Sequence, residues 1–249
     1  MNYMIIGSKI LTFYTLTSTN SHAINLLSSE SPQEGTIIRT FFQSAGRGQP
    51  GNKWESEYGR NLLFSIILYP ENITPGNQFL VSMAISLGIS DYLNKILKGV
   101  SIKWPNDIYV NNDKIAGILI ESSTMGNKLI YMIAGIGLNV NQEKFTGTAP
   151  NPVSMKMITA TEYPAESVLK DLAACLDYRY NMILTRKFSK IKKDYSSMLF
   201  RAERWTSFRD EGGDFTGRIL SVDTGGRMTV EKRNGKKIKY YFKEVEFIL

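Results

Sequence analysis

One cysteine and one histidine stand among the 249 residues of this chain. A lone Cys175 closes no intramolecular disulfide, which fits a reducing compartment. With His22 as the sole imidazole, zinc sites of the usual Cys/His composition are excluded, and a Ser-His-Asp triad would rest on that one residue. No run approaches the roughly 20 apolar residues needed to span a bilayer. The opening MNYMIIGSKILTFY has neither a basic region ahead of its apolar residues nor a small-residue cleavage site. Internal repeats and low-complexity tracts are missing too. These absences predict a soluble, cytoplasmic protein whose chemistry rests on Lys, Arg and a metal held by oxygen ligands.

What is present is an ordinary globular composition, 43% hydrophobic, at a length that holds one large domain or a medium domain plus a small one. The net charge of +7 points to nucleic acid, an acidic protein partner or a polyanionic small ligand. Its densest run, KRNGKKIK from Lys232 to Lys239, is centred on Asn234-Gly235. That dipeptide is a hairpin signal, so solvated hairpin charges compete with a binding patch as its meaning.

Periodicity supplies a coarse map. Strands are expected at Ile10 to Leu16, Thr36 to Gln43, Leu62 to Leu68, Val100 to Trp104, Ile108 to Val110, Ile115 to Glu121 and Leu129 to Ile136. Ser18-Thr19-Asn20 reads as the cap of a helix through Ala23 and Leu27. Asn77 to Lys98 predicts a long amphipathic helix, and Glu166 to about Leu199 a helical stretch broken near Thr185-Arg186. Past Arg204 come short alternating segments, Phe215 to Val222, Arg227 to Lys232 and Ile238 to Phe242. They predict a small all-β module docked on the larger part. The fold class is therefore α/β (or α+β): a larger domain over 1–203 and a β-domain over 204–249.

Three polar stretches fall at strand ends or in the loops after them, where ligands sit on such sheets. QSAGRGQPGNKW (Gln43 to Trp54) carries Gly46, Gly48, Gly51, Arg47 and Lys53. It can cradle an anion on backbone N–H groups, or be a mobile basic surface loop. KWPNDIYVNNDKIAGILIE (Lys103 to Glu121) sets Asn106 and Asp107 at a strand break after Pro105, with Lys114 opening the returning strand and Gly117 leaving room beside it. A β-hairpin with a polar tip is the plainer reading. GIGLNVN (Gly135 to Asn141) allows close backbone contact, with Asn139 free to hydrogen-bond a ribose or phosphate, but it lacks the third glycine of a dinucleotide fingerprint.

Taken in order, these stretches resemble one family. The glycine loop is similar to the GRGRxGxxW loop of biotin protein ligases. KWPND with KIAGILIE, then GIGLNVN, resemble that family's other signatures, and Ser18-Thr19-Asn20 its upstream element. The likeness spans roughly residues 10 to 145, and the terminal module resembles the family's SH3-like domain. The resemblance implies an ATP-dependent ligase that makes biotinyl-5'-AMP and passes the biotinyl group to a lysine of a biotin carboxyl carrier protein. It implies biotin contacts at Ser18, Thr19, Asn20, Gln43, Gly46, Arg47, Gly48, Gln49, Lys114, Gly117, Leu119 and Gly135. ATP contacts are implied at Arg47, Gln49, Trp54, Lys103, Asn106, Asp107, Lys114 and Asn139, with Lys114 and Arg47 catalytic and Asp107 near Mg²⁺. Gln49 and Pro50 stand where many members carry arginine, which makes the phosphate loop less cationic. A lipoate or octanoate ligase is the rival within the fold, and a basic nucleic-acid-binding protein the rival from another class. Family members that repress transcription carry a helix-turn-helix domain ahead of the ligase. Here the first strand begins almost at once, so no operator binding is expected, nor a membrane; a monomer and a homodimer are both open.

Overall fold

The computed structural model describes residues 4–49, 51–147 and 151–248, so Pro50 of the glycine loop lies outside the described residues. Along the chain come β1 (Ile10–Leu16), α1 (Thr19–Ser29), β2 (Ile37–Gln43), β3 (Leu62–Leu68) and α2 (Phe79–Leu93). Next are β4 (Val100–Lys103), β5 (Asp107–Val110), β6 (Asp113–Met125) and β7 (Lys128–Leu138). Three helices follow, α3 (Met155–Thr159), α4 (Ala165–Leu184) and α5 (Phe188–Met198). The end is β8 (Thr206–Asp210), β9 (Gly213–Val222), β10 (Met228–Lys232), β11 (Lys237–Tyr240) and β12 (Glu246–Phe247).

The first seven strands form one mixed sheet in the order β1-β2-β3-β7-β6-β5-β4. Only β1 and β2 pair in parallel, joined by α1; the other neighbours are antiparallel. Side chains alternate between the two faces of a strand. One face of β2, β3 and β7 puts Ile38, Ile67 and Ile133 under Ala23 of α1. The opposite face carries Phe64, Ala134, Ile136 and Leu138 into the main core with α2 and α4. β3 is buried along its whole length, which is why it reads as an unbroken apolar run.

Two sequence expectations need correction. The helix predicted over Asn77 to Lys98 is shorter, with a 3₁₀ turn at Pro75–Asn77 ahead of it. It is also not amphipathic, for every residue from Leu80 to Ser90 is buried. Its small, polar face does not meet water. Another side of the helix packs on α4 so closely that a Cβ at Gly88 would lie 2.9 Å from the Leu176 backbone, while among the buried serines the Ser90 hydroxyl donates to the Ser86 carbonyl. Second, the strand expected to stop at Ile136 continues through Leu138, so Gly135 and Gly137 lie inside β7 rather than at its end.

The last five strands make an antiparallel sheet, β11-β10-β9-β8-β12, with KRNGKKIK forming the β10–β11 hairpin about Asn234-Gly235. This sheet shares one core with the larger part, through Phe208, Met228 and Tyr240. Across the seam, Trp104 Nε1 donates to the Gly226 carbonyl at 2.9 Å and Phe79 N to the Thr224 carbonyl at 3.2 Å.

Candidate active site

A cavity of about 390 Å³ opens on the α1 face of the mixed sheet. Its floor follows from strand register. Gly117 of β6 lies opposite Gly137 of β7, and Leu119 opposite Gly135. By alternation these four positions share a face, and three of them lack a side chain. The missing volume is used by neighbours. A Cβ at Gly135 would stand 2.2 Å from Asn20 Oδ1, and one at Gly137 2.3 Å from the Trp54 ring. The room expected at Gly117 is likewise taken by Trp54, 2.8 Å from where a Cβ would be.

One wall is the start of α1. Ser18 is its N-cap, accepting from Ser21 N, and Ser18, Thr19 and Asn20 are all buried. Gln43, where β2 ends, accepts from Thr19 N at 2.8 Å. Ser65, fully buried on β3 and opposite Gly135, joins Thr19 Oγ1 (2.7 Å) and Asn20 Oδ1 (2.6 Å). The result is a continuous polar strip beside an apolar floor, suited to a small ring with hydrogen-bonding groups on one edge.

The glycine loop forms the rim. Arg47 and Lys53 bridge as an antiparallel pair, Gly48 N donates to the Asn52 carbonyl, and Trp54 N to the Gly46 carbonyl. Gly46 is needed for that closure, since a Cβ would meet the Trp54 carbonyl at 2.5 Å. It lies outside the cavity wall, whereas Arg47, Gly48, Gln49 and Trp54 line it.

Cations gather on the side opposite the polar strip. Lys114 Nζ sits 2.7 Å from Asp107 Oδ1 and 5.7 Å from the Trp54 ring centroid. Its backbone is fixed by Asn151 and Val153. Lys103 donates to Tyr109 Oη at 3.1 Å and has aromatic rings of Tyr109 and Phe247 at 4.8 and 5.5 Å. Burial lowers its ammonium from the ordinary lysine range, opposed by nearby Asp107. Asn106 Nδ2 donates to the Ile118 carbonyl, which ties this loop to β6, and the Trp104–Pro105 peptide is cis. Asn139 is the exception among the residues expected at the nucleotide. It is buried off the cavity wall, with Nδ2 donating to the Val153 carbonyl and Oδ1 without a partner among the described residues.

These strands and loops match a known model. The description "Biotin/lipoate A/B protein ligase family" fits residues 12–139, just over half of the chain. The chain belongs to that family. As a member it is an enzyme of the ligase class. It is 29% identical over 252 aligned positions to the bifunctional ligase/repressor BirA of Bacillus subtilis (strain 168), covering 97% of this chain and 75% of the relative. Against the biotin--[acetyl-CoA-carboxylase] ligase of Paracoccus denitrificans the identity is 27%, over 89% of this chain and 93% of the relative. The solved biotin protein ligase from Aquifex aeolicus, in complex with biotin and ATP, superposes with a TM-score of 0.79 at 24% identity, covering 96% of this chain and 98% of that one. That likeness establishes the fold.

Several residues that line the cavity have no counterpart in the sequence reading. Phe242, Val245, Glu246 and Phe247, from the terminal sheet, complete the wall beside Lys103. Gly137 was legible in GIGLNVN, but the partner that demands it, Trp54, was not. Among the described residues no group of three or more His, Cys, Asp or Glu side chains could hold a metal, and no helix is long and apolar enough to cross a membrane.

Proposed function

We propose that this chain is an ATP-dependent biotin protein ligase, which joins biotin to AMP and then transfers the biotinyl group to a lysine of a biotin carboxyl carrier protein or domain. The observation that carries this reading is one cavity that brings together a polar strip (Ser18 to Asn20 and Gln43), Arg47 on the rim beside it, Lys114 and a glycine floor. The biotin-specific name of the Paracoccus denitrificans relative, aligned along 89% of this chain, supports it. Residues 1–203 would form the catalytic unit, with 204–249 lending the Phe242 to Phe247 wall.

In the first step a biotin carboxylate oxygen attacks the α-phosphorus of ATP; the new C–O–P link forms and pyrophosphate leaves. Two unit negative charges about 4 Å apart repel by roughly 4 kcal/mol at an effective dielectric of 20. Arg47 and Lys114 offset this. Arginine's planar fork matches a carboxylate or phosphate, while the lysine acts as a point charge on the entering oxygen. Lys114 must exchange Asp107 for the substrate, and the 2.7 Å pair keeps its ammonium aimed into the cavity until then. Mg²⁺ carried by the nucleotide would neutralise phosphate charge, and one carboxylate, Asp107, suits an ion that keeps its other ligands from phosphates and water. In the second step a neutral acceptor amine attacks the acyl carbon, AMP departs with the bonding pair, and the amine proton is lost to solvent. No enzyme nucleophile is required. The glycine loop would close over the adenylate and exclude water.

Incubation of the chain with radiolabelled biotin, ATP and a carboxylase carrier domain tests the whole reading. Label on the carrier supports it. Label transfer from lipoate or octanoate but not biotin would select the rival ligase, and none from either, with sequence-specific DNA retention instead, would overturn both.

A further inference from the structure

Glu121 ends the KIAGILIE stretch, yet family resemblance assigns it nothing. One of its oxygens, Oε2, accepts from Asn20 Nδ2 at 2.7 Å and from Arg47 Nη2 at 2.8 Å. Asn20 gives its other amide hydrogen to the Leu119 carbonyl at 3.2 Å, and its Oδ1 accepts from Ser65 Oγ at 2.6 Å. A primary amide has two N–H donors and one oxygen with two lone pairs. Both donors are therefore committed to protein acceptors, and Asn20 meets a ligand only as an acceptor. A flipped amide would turn its oxygen toward a carboxylate and a carbonyl, so Glu121 fixes the orientation. The same oxygen holds the guanidinium of Arg47 at the rim.

We propose that Glu121 is a positioning residue that sets two neighbouring groups of the site through this one oxygen: it presents Asn20 as an acceptor for a ring N–H, such as that of a cyclic urea, and it restrains Arg47 until an anion displaces it. The inference rests on the biotin-ligase reading. Its two effects have opposite signs, which a merely structural role would not produce. Loss of the charge loosens Asn20 and weakens ring binding, while it frees Arg47 and tightens nucleotide binding. The Arg47–Glu121 pair is partly exposed, at 42% and 30% of the side chains, so its release is worth only about threefold in affinity. Asn20 is 3% exposed, and its charge-assisted bond is worth about tenfold.

Calorimetric titration of the full chain with biotin alone and with ATP alone, plus pyrophosphate release with both, tests this. Glu121→Gln should bind biotin about threefold more weakly, the tenfold loss at Asn20 being partly offset where freed Arg47 meets the biotin carboxylate, and ATP about threefold more tightly; Glu121→Asp, which restores the charge, should return ATP affinity to that of the unsubstituted chain. Parallel weakening of both ligands, or no change in either, overturns the assignment. If Glu121→Gln does not fold, Ser65→Ala reports the Asn20 arm: weaker biotin with unchanged ATP supports it, and unchanged biotin overturns it. An unsubstituted chain that releases no pyrophosphate sinks the ligase reading and this inference with it. Release by that chain, with parallel losses in Glu121→Gln, sinks the role of Glu121 alone.

Discussion

Gly137→Ala should expel the Trp54 ring from the cavity floor at almost no cost in stability. The added Cβ would stand 2.3, 2.6 and 2.7 Å from Trp54 Cε2, Cζ2 and Nε1, so the ring must leave. Leaving exposes more of a half-buried indole, which forfeits only part of the roughly 1.5–3 kcal/mol that full burial of a large apolar side chain is worth. Against this, Trp54 Nε1 is buried without a partner among the described residues and gains water on release, worth about 1 kcal/mol or more. Alanine in place of glycine in a strand contributes a further ~0.5–1 kcal/mol by restricting the unfolded chain. The terms nearly cancel, so Tm should move by less than about 4 °C. Gly135→Ala, two residues earlier, is the contrast. There the Cβ meets Asn20 Oδ1 at 2.2 Å, and Asn20 is tied to Ser65, Leu119 and Glu121. Dislodging it leaves buried polar groups unpaired, at about 3 kcal/mol or some 6–12 °C. Thermal melts give the stabilities, and acrylamide quenching of tryptophan emission reports Trp54 above Trp104 and Trp205. In a Trp54→Ala background Gly137→Ala should become stabilising. Equal destabilisation by the two glycine variants, or an unchanged quenching profile in Gly137→Ala, would refute the argument that the indole alone requires Gly137.

Lys114→Ala should lower biotin-dependent pyrophosphate release by about 10²- to 10³-fold while the chain stays folded; near-normal release would mean that another cation serves adenylation. Raised salt should slow transfer to an acidic carrier more than adenylate formation, since the +7 charge steers encounter and is screened. A single common salt dependence in a two-stage assay would count against steering. Amide exchange at 46–49 and 51–53 should slow when biotin and ATP are both bound, and equal exchange with and without ligands would remove the lid from the mechanism. Asp210 accepts from Lys232 Nζ and Tyr240 Oη, which hold its carboxyl below the usual aspartate value. A depressed folded value stabilises above the unfolded pKa of 3.8 and fades as pH falls through the folded one. Asp210→Asn should therefore flatten the loss of Tm as pH falls below about 4; an unchanged acid limb in melts would show that other carboxylates set it.

Local signals carried far into this fold. β1 and β3 have the bounds their apolar patterns predict, Ser18 caps α1, and the break between α4 and α5 falls at Thr185–Arg186, where Arg186 takes a positive φ of 56°. Each depends on neighbours a few residues apart, which period and turn chemistry encode. The resemblance carried by Gln43 to Trp54, Lys103 to Glu121 and Gly135 to Asn141 was also readable, because loops that approach a ligand need particular residue types at fixed spacing.

Burial and partnership were not local. The amphipathic pattern read into α2 predicted one face in water, because periodicity cannot reveal that its serines are buried too, or that α4 packs on another side at a distance only Gly88 permits. Gly135 and Gly137 announced room, but strand register had to join β6 to β7 before Asn20 and Trp54 could be seen to fill it. Phe242 to Phe247 enter the site only when the terminal sheet docks through Trp104 and Gly226. Glu121 and Ser65 stand alone in the sequence as one more acid and one more hydroxyl. Long-range pairing brings them to Asn20, and through Glu121 to Arg47, because hydrogen-bond partners are set by which surfaces meet, not by spacing along the chain.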